Sequence, residues 1–112
     1  MAVVKASGYG SDSVEIAKKL ESIGVDYFAV AFTNEGIDLR KAGIKTPILV
    51  LLPQAESIKN IIDYNLQASL YSFYFLENFI DYLNEKEVKK CFCHFKINTG
   101  LNRVGFSEHQ IN

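Results

Sequence analysis

Short apolar runs alternate with segments of helical spacing along the whole chain. The runs are rich in β-branched and aromatic residues, which predicts five strands that begin near residues 1, 27, 48, 67 and 91. The clearest is the continuous apolar run 48–52, which Pro53 ends. A run of this kind is typical of a parallel strand covered on both faces. The fifth predicted strand spans residues 91–97.

Four helices are predicted between these strands. Asp12 and Glu15 have the spacing of a capping box at the start of the first helix, and Gly24 supplies its stop signal. The second helix is predicted to begin with Thr33 or Asn34 as cap and to run to about residue 42. The last two are predicted from apolar stripes, formed by Ile58, Ile61 and Ile62, and by Phe73, Leu76, Ile80 and Leu83.

Strands joined by short helical crossovers must pair in parallel, so the fold class is α/β. Five parallel strands fit either an open doubly wound sheet or the first part of an eight-stranded barrel, and periodicity does not separate the two. A complete barrel needs about 250 residues. In the barrel interpretation this chain of 112 residues is an arc of slightly more than half, and we expect one domain over residues 1–112.

Composition removes several classes of function. The chain is 48% hydrophobic and 22% charged, with a net charge of -1. It has no basic cluster beyond Lys89 and Lys90, so we expect neither nucleic acid nor an anionic membrane as a partner. The apolar runs are far shorter than the roughly 18 residues of a membrane span, and the start lacks the layout of a signal peptide. We therefore expect a cytoplasmic protein.

The cysteines and histidines carry no predicted chemistry. Cys91 and Cys93 lie two residues apart on one strand face, where they cannot easily bridge each other. No second Cys/His pair supplies further ligands, so we expect core cysteines and no metal. His94 and His109 are expected to be an ordinary strand and surface histidine.

Candidate chemistry begins at Lys5, which closes the first predicted strand. An amine held among apolar neighbours has a lowered pKa, and its neutral form can attack an aldehyde. Tyr9 follows between two glycines, which let backbone approach an anion such as phosphate closely. Each feature alone has an ordinary interpretation. Lys5 can simply mark the point where a strand reaches water, and Tyr9 between two glycines can simply be an exposed residue of a turn.

Together, Ala2-Val3-Val4-Lys5-Ala6-Ser7-Gly8-Tyr9-Gly10 resembles the signature segment of alanine racemases, Ala-Val-Val-Lys-Ala-x-x-Tyr-Gly. The resemblance extends over nearly the whole chain and favours the barrel, so we expect part of a TIM-type (β/α)8 barrel with five strands and four crossover helices. It implies that Lys5 binds pyridoxal 5'-phosphate covalently and is one of two catalytic bases, and that Tyr9 contacts the cofactor phosphate. It further implies interconversion of L-alanine and D-alanine for peptidoglycan synthesis.

A second segment, 96–106, resembles the family pattern Lys-x-Asp-Thr-Gly-Met-x-Arg-x-Gly-Phe. The resemblance implies that Arg103 contacts the cofactor and the substrate carboxylate, and that Lys96, carbamylated in many members, orients that arginine. A planar guanidinium suits carboxylate recognition. Read without the family, both are ordinary loop cations. The chain departs from the family at Asn98, where aspartate is usual, at Leu101, where methionine is common, and at residues 11–12, where His-Gly often follows.

Racemisation needs a proton donor or acceptor on each face of the substrate α-carbon, and Lys5 serves one face. In the family the opposite base is a tyrosine from the C-terminal domain of a partner subunit, so the resemblance implies a homodimer. We expect this chain to be the N-terminal part of a longer enzyme and to be inactive alone. Two alternatives stay open. One is a barrel-type pyridoxal-phosphate homeostasis protein that binds the cofactor without robust turnover, and the other is a non-catalytic α/β domain.

Overall fold

The computed structural model describes residues 1–4, 10–88 and 90–95. Strands and helices alternate from the first described residue to the last, as the apolar pattern predicts. The elements are β1 (Ala2–Val3), α1 (Gly10–Ser22), β2 (Phe28–Val30), α2 (Thr33–Lys41), β3 (Ile48–Val50), a 3-10 turn (Ala55–Ser57), α3 (Ile58–Asp63), β4 (Gln67–Leu70), α4 (Phe73–Glu85) and β5 (Cys93–Phe95).

The five strands form one parallel sheet whose spatial order follows the sequence, β1-β2-β3-β4-β5. A doubly wound sheet reverses its strand order at a switch point, and this sheet does not. Because parallel crossovers are right-handed, a sequential order places every crossover helix on the same face of the sheet. The structure therefore confirms an arc of a TIM-type barrel, with five parallel strands and four α-helices.

The two faces of the sheet differ in what covers them. Side chains on the convex face pack beneath the helices and form one buried core, to which Phe28, Ile48 and Leu70 each contribute with at most 2% of their surface exposed. Alternate residues point to the concave face, which would be the lumen of a closed barrel. These concave-face residues are Val3, Ala29, Leu49, Gln67, Ser69 and His94.

The start of α2 differs from its prediction. Thr33 and Asn34 both lie inside the helix, and Phe32 is the capping residue. The Phe32 amide donates to the Glu35 carboxylate at 2.7 Å, and the Glu35 amide donates to the Phe32 carbonyl at 3.2 Å. These two hydrogen bonds give partners to backbone groups at the start of the helix without a capping side chain from Thr33 or Asn34. The prediction that Thr33 or Asn34 is the cap was therefore wrong.

Gly36 within α2 has a packing reason. A Cβ atom at this position would lie 3.0 Å from Leu66 Cδ1 and 3.1 Å from Leu66 Cδ2. Glycine therefore lets α2 approach the segment before β4 closely, which offsets its low helix propensity.

Two other helices also correct the sequence interpretation. Helix α1 begins at Gly10, so Asp12 lies in its first turn and not at its cap. The stripe predicted for α4 is correct in part: Leu76 and Leu83 pack against the core, whereas Phe73 and Ile80 are 44% and 45% exposed. The buried residues of this helix are Phe75 and Phe79. Ser72 caps α4 by accepting a hydrogen bond from the Phe75 amide at 3.2 Å.

A hydrogen-bonded cluster holds the amino edge of the sheet. The Arg40 guanidinium donates to four backbone carbonyls in the loops that enter β3 and β4, those of Ile44, Thr46, Tyr64 and Asn65, at 2.9 to 3.0 Å. Glu21 accepts from the amides of Lys45 and Thr46 at 2.8 Å and from the Thr46 hydroxyl at 2.7 Å. These hydrogen bonds link α1, α2 and both loops, on the side of the sheet away from the strand ends considered next.

Candidate functional site

The carboxyl ends of the parallel strands lie along one edge of the sheet, where barrel proteins carry their chemistry. The Val4 amide donates to the Ala29 carbonyl at 2.9 Å, so the chain stays in the ladder one residue beyond β1. Val4 is 5% exposed and belongs to the core on the convex face. At the opposite end of the arc, Phe95 closes β5 and pairs with Leu70.

The predicted site residues Lys5, Tyr9, Lys96 and Arg103 lie outside the described residues. For two of them the preceding residue is described, because Lys5 follows Val4 and Lys96 follows Phe95. Val4 and Phe95 lie at the carboxyl ends of the first and fifth strands, on the same edge of the sheet. The contacts and roles of the four residues remain predictions.

Apolar residues follow β2 and β3 at this edge. The Leu51 amide donates to Val30 at 2.8 Å and the Leu52 amide donates to Ala31 at 2.9 Å, which extends the ladder beyond β3. Phe32 and Leu52 are 48% and 38% exposed there. The residues just after both strands, 31–32 and 51–52, include no charged side chain. This part of the edge is therefore a surface of low polarity next to the carboxyl end of β1, which is described up to Val4.

Tyr71 fixes the end of β4 relative to the loop after β3. Its hydroxyl donates to the Pro53 carbonyl at 2.8 Å, and its ring stacks on Phe75 with 5.4 Å between centroids. Burial, together with the nearby Glu56 carboxylate, raises the pKa of Tyr71. The phenol therefore keeps its proton, which the bond to Pro53 requires.

A cavity of about 310 Å³ lies at the same edge, between the start of α2 and the loop after β3. Its polar lining consists of hydroxyl and carboxamide groups, from Thr33, Asn34, Gln54, Ser57 and Asn60. Thr33 is 5% exposed, and its hydroxyl oxygen has no hydrogen-bond partner within the described part of the chain. The cavity therefore suits an uncharged polar group.

Sequence reasoning missed a group of polar side chains on the concave face. Tyr27, Gln67 and His94 lie on or beside three different strands, and we call them the luminal triad. The Tyr27 hydroxyl donates to Gln67 Oε1, and His94 Nε2 lies 3.0 Å from the same oxygen. The available signal was the alternation in β4 and β5, where Gln67, Ser69 and His94 fall opposite the core-facing residues.

The cysteines occupy different surroundings. Cys91 is partly buried and Cys93 is exposed, and desolvation raises the pKa of both thiols. The expectation of a core cysteine was therefore wrong for Cys93, because a cavity lined by Ile80 of α4 and by Cys93 and Phe95 leaves the convex face of β5 incompletely covered. Among the described residues, no three His, Cys, Asp or Glu side chains come close enough to hold a metal. No described helix is long and apolar enough to cross a membrane.

Taken together, the sequential parallel sheet and the convex layer of helices define a segment of an α/β barrel. The family profile described as "Alanine racemase, N-terminal domain" matches residues 1–112. The chain therefore belongs to the alanine racemase N-terminal domain family.

Individual relatives agree with this assignment. The chain is 37% identical over 112 residues to alanine racemase 1 of Caldanaerobacter subterraneus, covering 99% of this chain and 29% of that protein. It is 43% identical over 106 residues to a serine/alanine racemase of Enterococcus gallinarum, covering 94% of this chain and 14% of the relative. A solved alanine racemase of Clostridium difficile 630 superimposes with a TM-score of 0.82 at 40% identity, covering 94% of this chain and 28% of that one. The chain thus spans less than a third of the relatives it matches.

Proposed function

We propose that this chain is the N-terminal part of a pyridoxal-phosphate-dependent racemase that interconverts L-alanine and D-alanine. The observation that carries the proposal is the family match over residues 1–112, with the signature lysine directly after a strand that the ladder holds up to Val4. By the resemblance, Lys5 holds the cofactor, Tyr9 contacts its phosphate, Arg103 contacts the cofactor and the substrate carboxylate, and Lys96 orients Arg103.

The described edge is compatible with this cofactor. An aromatic ring packs favourably against apolar side chains, and residues 31–32 and 51–52 supply such a surface. A surface of low polarity also favours the neutral form of a nearby amine, the form that reacts with an aldehyde. Part of the phosphate site belongs to later strands, because barrels of this kind build it largely after strands seven and eight.

The residues of this chain supply one half of a two-base reaction. When bound, the cofactor withdraws electrons from the substrate α-carbon and so makes its proton acidic. The Lys5 amine then takes or returns that proton on one face. Arg103 holds the substrate carboxylate, which keeps the α-carbon aligned with the lysine.

The opposite face requires a base from outside this chain, so we propose a homodimer of the complete protein. The substrate class is a small amino acid, since one relative is named a serine/alanine racemase. We expect the 112-residue chain alone to convert no measurable L-alanine and to bind the cofactor weakly. We also propose the peptidoglycan role that the resemblance implies, and the cytoplasmic setting expected from the short apolar runs of the sequence.

The test uses the complete protein that contains this chain. We expect the parent to convert L-alanine to D-alanine and to show a near-visible absorption band when loaded with cofactor. The Lys5→Ala variant should lose both, because the attachment point and the first base are removed together. Lys18→Ala is the matched control, since Lys18 is an exposed lysine on α1, and this variant should behave as the parent.

Three outcomes would contradict the proposal. Near-normal turnover in Lys5→Ala would exclude Lys5 as the catalytic base. A parent that shows the band without turnover would favour the homeostasis-type alternative. A parent that shows neither would favour a non-catalytic domain.

A further inference from the structure

The luminal triad joins elements that are far apart in the sheet order. Tyr27 precedes β2, Gln67 opens β4, and His94 is the middle residue of β5. The Tyr27 and His94 rings meet edge to face, with 5.7 Å between centroids and an interplanar angle of 78°. This contact spans from the second strand to the fifth across the concave face, so it depends directly on the curvature of the arc.

The hydrogen bonds within the luminal triad determine where the protons lie. Gln67 Oε1 is a carbonyl oxygen and can only accept. It accepts from the Tyr27 hydroxyl, and it lies 3.0 Å from His94 Nε2. In this arrangement His94 Nε2 can bond to that oxygen only as a donor, that is, in the tautomer that carries the proton on Nε2. The Tyr27 oxygen is farther from Nε2, at 3.4 Å, and its only proton is already directed to Gln67.

The strand that carries His94 is the last strand of the described sheet. The β5 ladder pairs with β4, and Cys93 and Phe95 on its convex face are exposed, Phe95 by 64%. On the concave face, His94 pairs in register with Ser69, which is 3% exposed. Within the described residues, the luminal triad is thus the side-chain link that holds the concave face of β5 to the β2 side of the arc.

We propose that the luminal triad is a positioning device for the carboxyl end of β5, with His94 fixed as the Nε2–H tautomer by Gln67. This inference rests on the proposed function, because the role of the luminal triad is to position the carboxyl end of β5 at the edge where catalysis is proposed. Tyr27, Gln67 and His94 act through the strand and are positioning residues.

The first test reads the tautomer without any activity measurement. The complete protein is labelled with 15N-histidine, and the His94 ring signals are identified by their loss in His94→Gln. We expect the parent to show a protonated Nε2 and an unprotonated Nδ1. A protonated Nδ1 beside an unprotonated Nε2 would overturn the proposal, whether or not the protein is a racemase.

The second test removes the shared acceptor. Gln67→Leu should release the tautomer and lower kcat on the order of tenfold, because misplaced catalytic groups lose rate, with KM for alanine little changed. Gln67→Glu keeps an acceptor at the same place and should restore both the Nε2–H signal and most of kcat. Asn84→Leu, which removes an exposed carboxamide from α4, is the control and should match the parent.

The outcomes separate the two proposals. A parent that racemises alanine while Gln67→Leu keeps the parental kcat would refute the positioning role alone. Equal loss in Gln67→Leu and Gln67→Glu would also refute it, since a retained acceptor would then be irrelevant. A parent without racemase activity would refute the proposed function, and the tautomer measurement would still decide whether Gln67 orders His94.

Discussion

Replacing Arg40 by methionine removes the side chain that joins two loops at the amino edge of the sheet. Methionine fills a similar stem volume and donates no hydrogen bond. The guanidinium bonds to Ile44, Thr46 and Tyr64 are partly buried, whereas the bond to Asn65 is exposed. A net contribution of about 1 kcal/mol for each partly buried bond gives a loss of about 3 kcal/mol.

A loss of this size is measurable, because small domains are stabilised by about 5–15 kcal/mol in total. Urea unfolding of the 112-residue chain, at one fixed protein concentration, should show a midpoint about 1–3 M lower for Arg40→Met, given slopes of about 1–3 kcal/mol per molar urea. Lys41→Met is the matched control, since Lys41 is the next residue and is exposed. An unchanged midpoint for Arg40→Met, or an equal shift for Lys41→Met, would refute the role of Arg40.

Three further perturbations test other parts of the fold. Hydrogen bonds from the Thr46 hydroxyl and from the amides of Thr46 and Lys45 lower the pKa of the Glu21 carboxyl below its usual range. Their contribution to folding stability is therefore present at neutral pH and lost as pH falls through the folded pKa. Glu21→Gln should thus unfold at lower urea than the parent at neutral pH, and the gap should close in acid; a pH-independent gap would contradict this. Gly36→Ala should destabilise the parent, because the new Cβ would crowd the Leu66 side chain. In a Leu66→Ala background the same substitution should stabilise the protein by up to about 1 kcal/mol, because the higher helix propensity of alanine then acts without that crowding. A change in stability of the same sign in both backgrounds would exclude the packing explanation. The outer edges of β1 and β5 have no partner strand among the described residues, and unpaired edges favour association between chains. Sedimentation equilibrium of the isolated chain should therefore show a dimer or a larger assembly. A stable monomer of 12.6 kDa would contradict this expectation.

Hydrophobic period and spacing were sufficient to predict the order of the elements. The run at residues 48–52 became β3 with all three residues of Ile48–Val50 buried, and Gly24 and Gly43 adopt positive φ values of 93° and 96° just after their helices. The choice of a barrel over an open sheet rested on the resemblance. The sequential strand order now supports it independently.

Helix ends and faces were harder to predict, because tertiary contacts determine them. Thr33 is a common capping residue type, and as a cap it would make Asn34 the first residue of the helix. The Glu35 carboxylate instead accepts from the Phe32 amide, and the helix begins at Thr33. Ile80 fits the apolar stripe of α4, yet it faces the exposed side of β5 and stays 45% exposed.

Of the polar residues considered for the candidate site, some were predicted from the sequence and others are seen only in the structure. The roles of Lys5 and Arg103 were predicted from spacing that only a family resemblance makes meaningful, and they remain predictions. The luminal triad was missed, since Tyr27, Gln67 and His94 are separated by 40 and 27 residues and only the curvature of the sheet brings them together.

The central claim, that Lys5 holds the cofactor, has a direct test. The complete protein is loaded with pyridoxal 5'-phosphate, treated with borohydride to make the amine link permanent, digested and mapped by mass spectrometry. We expect the cofactor mass on the peptide that contains Lys5, at a stoichiometry near one per chain. Modification concentrated on another lysine, such as Lys18 or Lys96, or no modification after loading, would contradict the claim.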